Sequence, residues 1–283
     1  MSSSDHGSPT PGRQRKIALL LRLLLRNPRE FRDRLLTMVE FQMDRLSRPG
    51  TSAPMDPGLL VRQLDQSLEG NLGGFLQETS LREIEDRVTQ AQAELLRPAF
   101  GTFHNADLAL ARLAYAICRL QQPEVVVETG VGYGVTTAFL LQALAMNNKG
   151  GLWSIDLPPL GEGADDQVGF LVPASLRSRW HLLRGRTRRL LPQLVSQLPG
   201  IDMFLHDSLH SYRNMTMEFR AVWPKIRPGG ILLCDDVNMN RAFENFVVHA
   251  DVAFAAVARK QEKGGLFGTM IKPRNWPQAR HGV

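Results

Sequence analysis

The chain has 283 residues, 43% of them apolar, and a net charge of +6. That length holds one large domain, or one domain with a sizeable extension. Two cysteines, Cys118 and Cys234, both in apolar runs, exclude a disulfide framework and a cysteine zinc site and fit a reducing, cytoplasmic setting. The positive charge is local. Residues 1–50 carry ten Lys/Arg against five Asp/Glu, whereas the other 233 carry 24 against 23. The bulk of the chain is therefore not a basic body made for nucleic acid, and an electrostatic partner would meet the N-terminal segment.

Residues 1–12 are rich in Ser, Pro and Gly and read as a disordered tail. Residues 13–26 are basic and leucine-rich, with apolar runs too short for a membrane span, which takes about 20 residues. Neither the long apolar region nor the small-residue cleavage site of a secretory signal is evident. As a helix, this segment groups Arg22 with Arg26. It packs on its own domain or on a second subunit, or it lies on an anionic membrane surface. Residues 29–47 repeat Phe31, Leu35, Val39, Met43 and Leu46 at helical spacing, which predicts an amphipathic helix with these residues on its buried face. Residues 48–57 read as a linker. Ser80 followed by Glu83 matches a capping box and predicts a helix start there, with Ile84, Val88, Ala91 and Leu95 as its apolar stripe. Residues 13–100 thus form a helical extension without visible chemistry, and 101–283 form the main domain.

Asn105 or Asp107 caps the next helix, which runs to about Leu120. Then come Val125, Val126, Val127 and Glu128, a buried strand, and a turn with glycines at 130, 132 and 134. A helix restarts at Val135. A glycine turn between strand and helix lets backbone approach a ligand, and in open α/β sheets this edge binds nucleotides. The dinucleotide fingerprint is absent, because position 135 is Val. Further strands are expected at 152–156, about 180–184, 201–206, 230–235, 252–259 and 266–272, the last two joined through 261–265 as a hairpin.

Three acids stand at the ends of strands four and five: Asp207, and the pair Asp235 and Asp236. Neighbouring strands would bring them together, where they repel unless a cation neutralises them. An all-oxygen set selects Mg²⁺ or Mn²⁺. Asp156, 28 residues after Glu128, suits a ribose diol.

The E-x-G-x-G-x-G pattern of 128–134 resembles motif I of the class I S-adenosylmethionine-dependent methyltransferases, and the resemblance extends over residues 105–272. It implies a Rossmann-like α/β fold, a mostly parallel seven-stranded sheet with an antiparallel last strand. It also implies that Glu128, Gly130, Gly132, Tyr133, Gly134, Thr136, Asp156 and Asp207 surround S-adenosylmethionine. Asp207, Asp235 and Asp236 fall on the Mg²⁺ positions of catechol O-methyltransferase and its relatives. His210 falls where that family has its catalytic Lys, and His-Ser-Tyr at 210–212 resembles bacterial sugar and macrolide methyltransferases and the cephalosporin hydroxylase-like group, in several of which a His is the proposed base. The His, the Asp at 236 and the lack of a catechol-gripping segment argue against a catechol acceptor. The implied activity is Mg²⁺-dependent O-methylation of a small-molecule hydroxyl, with His210 as base, Tyr212, Arg213 and Asn238 as acceptor contacts, and a homo-oligomeric state. The competing readings are a metal-independent methyltransferase, a hydroxylase (no two-His iron triad is evident) and a non-catalytic membrane-associated protein contacting lipid through 13–47.

Overall fold

The computed structural model describes residues 13–44, 47–95, 98–101, 106–161, 163–261 and 264–275. The expected tail at 1–12, Leu46, the cap at Asn105 and residues 262–263 of the hairpin lie outside these.

Seven strands form one sheet: β1 (Val125–Thr129), β2 (Gly151–Asp156), β3 (Trp180–Arg184), β4 (Ile201–His206), β5 (Ile226–Cys234), β6 (Phe254–Arg259) and β7 (Leu266–Ile271). Their order is β3-β2-β1-β4-β5-β7-β6. The first five are parallel, and β7 runs antiparallel to both β5 and β6. Every expected strand is present. β5 starts earlier than expected, at Ile226, which pairs with Ile201 ahead of a bulge.

Apolar alternation feeds two cores, one on each face. α6 (Leu108–Gln121) and α7 (Val135–Asn147) cover one face, with Val126, Met203, Leu205, Ile231 and Leu233 beneath them. α8 (Thr187–Gln197), α9 (Tyr212–Val222) and α10 (Ala242–His249) cover the other, over Val127, Phe204 and Leu232. Both faces of the central strands are buried, so β1 is buried at every position, its three valines feeding both cores.

The N-terminal extension comprises α1 (Arg13–Arg26), α2 (Pro28–Asp44), α3 (Pro57–Leu68), α4 (Leu72–Phe75) and α5 (Thr79–Ala93). It is welded to the body. Leu60, Leu64, Leu72, Leu81, Ile84 and Val88 join the first core. The linker bonds along the β6 edge through Met55 N–H to Val257 O (2.7 Å), which covers a strand edge that would otherwise invite pairing.

Two local expectations are corrected. Ser80 does not cap α5: the N-cap is Glu78, and Ser80 is turned inward with its hydroxyl 2.6 Å from Tyr115 OH. The side chain of Glu78 is engaged by Arg119 and Tyr115 instead of by the helix amides. The second correction is larger. α2 exists, but Leu35, Val39 and Met43 are exposed, and its buried residues are Glu30, Asp33, Arg34 and Glu40. The polar stripe wins because it meets the C-terminal edge of the sheet, where arginines and helix N-termini are waiting. Glu30 pairs with Arg184, Asp33 with Arg189 and Glu40 with Arg186. Glu40 also accepts from Ser211 Oγ (2.7 Å), Asp44 accepts from Tyr212 N–H (2.8 Å), and Arg34 donates to Pro158 O (2.8 Å).

Removing one member of a buried ion pair costs about 3–5 kcal/mol, because the other charge is left unpaired. Glu40→Ala is therefore expected to lower the denaturation midpoint clearly, and exposed Leu35→Ala to leave it nearly unchanged. Urea titration of both variants checks this.

Candidate active site

Parallel register builds the site. Thr129 lies opposite Ile155 and His206, and His206 opposite Cys234. The next residues, Gly130, Asp156, Asp207 and Asp235, therefore leave the same sheet edge side by side.

At the turn, Gly130, Gly132 and Gly134 all have positive φ. A Cβ at Gly130 would run into the Asp207 carbonyl, and one at Gly134 would come to 2.9 Å from Gly169 Cα. Only glycine fits those two places. Asp156 Oδ2 accepts from Gly132 N–H (3.1 Å). Burial pushes the Asp156 carboxyl up to about 6, against the turn amides that favour its charged form. Thr136, in the first turn of α7, is buried, and its Oγ1 has no hydrogen-bond partner. A glycine cradle, an acid beside it and an orphaned hydroxyl fit a ligand with a diol and polar ends, and so fit S-adenosylmethionine.

Glu128 lies beneath this turn, fully enclosed, with Ser154 Oγ (2.7 Å) and Thr137 Oγ1 (2.9 Å) donating to it. Tyr133 does not face a ligand with its side chain. It is buried, stacks on Phe100 with ring centroids 4.0 Å apart, and its hydroxyl bonds the Phe100 backbone. Only its backbone remains for a cofactor.

Next to the turn, ligand atoms of Asp207, His210 and Asp235 lie within 4.8 Å of one another. His210 Nε2 is 3.6 Å from both Asp207 Oδ1 and Asp236 Oδ2. Asp236 has φ of 49° and is not part of that group. Its Oδ1 receives Lys260 Nζ at 2.6 Å, while the same ammonium reaches Asp235 Oδ2 at 2.8 Å. Sequence reasoning missed Lys260. It follows the last residue of β6 and carries no local signal; only the antiparallel return of β6 and β7 brings it to the acids.

Burial, and then the Asp207 charge, push the Asp235 carboxyl up to about 7 although Lys260 opposes this. Asp235 Oδ1 is buried without a partner. Burial disfavours the charged form of His210, but Asp207, Asp236 and Asp235 outweigh it and hold its pKa above the ordinary value. Below lies His206, fully buried, with Nδ1 2.7 Å from Glu218 Oε2. Thr129, Ser208 and Asn214 also donate to Glu218, and despite its burial these partners, His206 foremost, hold its carboxyl at about 2. The His206 ring meets the His210 ring edge-on at 5.4 Å.

Tyr212, Arg213 and Asn238 do not converge on this cluster. Tyr212 lines an outer cavity of about 570 Å³ between α9 and α10, Arg213 turns to Met43, and Asn238 Oδ1 accepts from Leu266 N–H.

Residues 127–237 match the family model described as Methyltransferase domain. No curated protein matches the chain by sequence. Among solved structures, the O-methyltransferase TomG from Streptomyces achromogenes, involved in tomaymycin synthesis and bound to SAM, is 18% identical and aligns over 70% of this chain and 91% of its own, with a TM-score of 0.52. A putative O-methyltransferase from Klebsiella pneumoniae is 15% identical over 76% and 96% (TM-score 0.53). An O-methyltransferase from Bacillus cereus in complex with SAH is 17% identical over 69% and 91% (TM-score 0.51). These likenesses establish the fold. The chain shares it with O-methyltransferases, and residues 127–237, which carry the glycine cradle, match a methyltransferase domain.

Burial pushes the Glu128 carboxyl up to about 8, well above its ordinary 4.5. Between those values the folded chain keeps a proton that the unfolded chain has released. The stability tied to Glu128 is therefore full at low pH and is lost as pH rises toward 8. Glu128→Gln is expected to flatten this loss, so that thermal midpoints of wild type and variant diverge with rising pH in favour of the variant.

Proposed function

We propose that the protein transfers the methyl group of S-adenosylmethionine to a hydroxyl of a small molecule such as a sugar or natural product, with His210 as the proton acceptor. The observation that carries this reading is the convergence of Asp207, His210 and Asp235 directly beside the glycine cradle. The O-methyltransferase activities given for the Streptomyces achromogenes and Bacillus cereus structures agree with it.

The cofactor, when bound, supplies an electrophilic methyl. The protein must align the acceptor oxygen with it and remove a proton. Alignment alone is worth roughly 7–11 kcal/mol in the best cases. Gly130 and Gly134 allow backbone to close on the cofactor, Asp156 suits its ribose hydroxyls, and Thr136 Oγ1 is free to bond it. His210 Nε2, held between Asp207 and Asp236, takes the hydroxyl proton. The resulting imidazolium is stabilised by those carboxylates, which also orient the ring.

Asp207 and Asp235 would hold a divalent ion: both are carboxylates, and the buried Asp235 Oδ1 lacks a partner. Such an ion, Mg²⁺ or Mn²⁺, supplies Lewis acidity toward an acceptor oxygen. Lys260 favours a second reading. Its ammonium already offsets charge on Asp235 and Asp236, so a metal-independent enzyme would have its cation built in.

Calorimetric titration of S-adenosylhomocysteine, followed by methyl-transfer assays on a hydroxyl-acceptor panel with Mg²⁺ or with chelator, tests the proposal. Binding of S-adenosylhomocysteine and turnover only with metal are expected. Full turnover in chelator selects the Lys260 reading, and absence of cofactor binding overturns both. His210→Ala should lower kcat by about 10²–10⁴-fold while leaving cofactor affinity unchanged. In chelator the neighbouring carboxylates hold the His210 pKa above its ordinary 6.5, so an NMR titration of its ring without metal should show a midpoint above that value. Unchanged turnover in the variant removes His210 from this role.

A further inference from the structure

The surface that α1 and α2 turn away from the body is apolar and basic at once. Leu21, Leu24, Leu25, Leu36, Met38 and Val39 are all exposed, Leu25 by 86%. Around them stand Arg22, Arg26, Arg29 and Arg32, also exposed. The carboxylates of the same stretch face the other way. Glu30, Asp33 and Glu40 are buried against the body, and Asp44 is half-buried at the start of α9. Over residues 18–44 the exposed charges are thus four arginines, with no exposed carboxylate.

Exposed apolar side chains gathered on two helices that pack together mark a surface that something covers. Charge complementarity decides between two occupants. A second copy docking through the same face would bury four arginines from each side, with no exposed carboxylate in either copy of the face to pair them. An anionic bilayer meets both properties, taking the leucines into the headgroup–acyl boundary and the arginines onto its phosphates. No helix among the described residues is long and apolar enough to cross a membrane, so the helices would lie in the interface plane. We infer that α1 and α2 form a docking surface for an anionic lipid membrane.

The same face borders a cavity of about 350 Å³ lined by Thr37, Met38, Phe41, Gln42 and Leu209. Leu209 stands between Asp207 and His210. Docking therefore places the loop that carries Asp207 and His210 next to the lipid-facing surface. The consequence that an acceptor arrives from the interface rests on the assignment of His210 above; docking itself does not.

The test is co-sedimentation of the full chain with phosphatidylcholine vesicles, with and without phosphatidylglycerol, at low and high salt. Salt-sensitive binding to the phosphatidylglycerol vesicles alone is expected. Each basic side chain at such a surface contributes roughly fivefold. The combined Arg22→Gln, Arg26→Gln, Arg29→Gln and Arg32→Gln variant should thus bind at least about 100-fold more weakly. Leu24→Glu with Leu25→Glu should also lose binding. S-Adenosylhomocysteine affinity and thermal midpoint, unchanged in both variants, would show that the body is intact. The lipid and salt dependence of the wild type decides the matter even if a variant fails to fold. No binding, or binding indifferent to phosphatidylglycerol, overturns the inference. So does a Leu24/Leu25 variant that turns a dimer into a monomer in sedimentation equilibrium while vesicle binding persists, since the face would then belong to a second copy.

Discussion

The parallel register of β1, β4 and β5 places three functional positions, Gly130, Asp207 and Asp235, on one line. Thr129, His206 and Cys234 are direct neighbours across the three strands, and each is followed at once by a residue that faces the site. A shift by one residue would turn Asp207 or Asp235 toward the opposite face of the sheet. The apolar faces of these strands are buried in two separate cores, so such a shift would also bury the wrong side chains. Hydrophobic packing thereby sets the distance between the glycine cradle and the carboxylates.

Below that line the protein keeps a second polar layer. Glu218 receives His206, Thr129, Ser208 and Asn214, so a carboxylate from α9 ties together β1, β4 and the loop that carries Asp207 and His210. A buried carboxylate is costly unless its lone pairs are filled, and here they are. The arrangement stiffens the loop from beneath, while Glu40 and Asp44 of α2 hold its far end at Ser211 and Tyr212. The loop bearing His210 is thus clamped from two sides, one of them belonging to the N-terminal extension.

That extension is the part where local pattern and tertiary structure part company. Phe31, Leu35, Val39 and Met43 repeat at helical spacing, and so do Glu30, Asp33, Glu40 and Asp44. Either stripe could be the inner one. The carboxylates go inside because the ends of β3 and the start of α8 offer Arg184, Arg186 and Arg189 there. A helix read in isolation cannot show what charge awaits it. Ser80 is the same lesson on a smaller scale: the spacing of a capping box is present, but Tyr115 claims the hydroxyl.

By itself the sequence determined the positions of seven strands and of the glycine turn, because strand periodicity and the punctuation of Gly and Pro are local properties of the chain. It also determined which acids end which strands, since parallel strands that end in Asp deliver those side chains to one edge. Only the tertiary structure decided which partners the acids meet. Asp236 turns to Lys260, a residue with no motif around it that a hairpin returns to the site, and His210 rather than Asp236 joins Asp207 and Asp235. The inward turn of Tyr133 onto Phe100 was likewise settled by packing between segments far apart in the chain. Partner choice among charged and aromatic side chains depends on contacts over long separations, and no short stretch of sequence contains them.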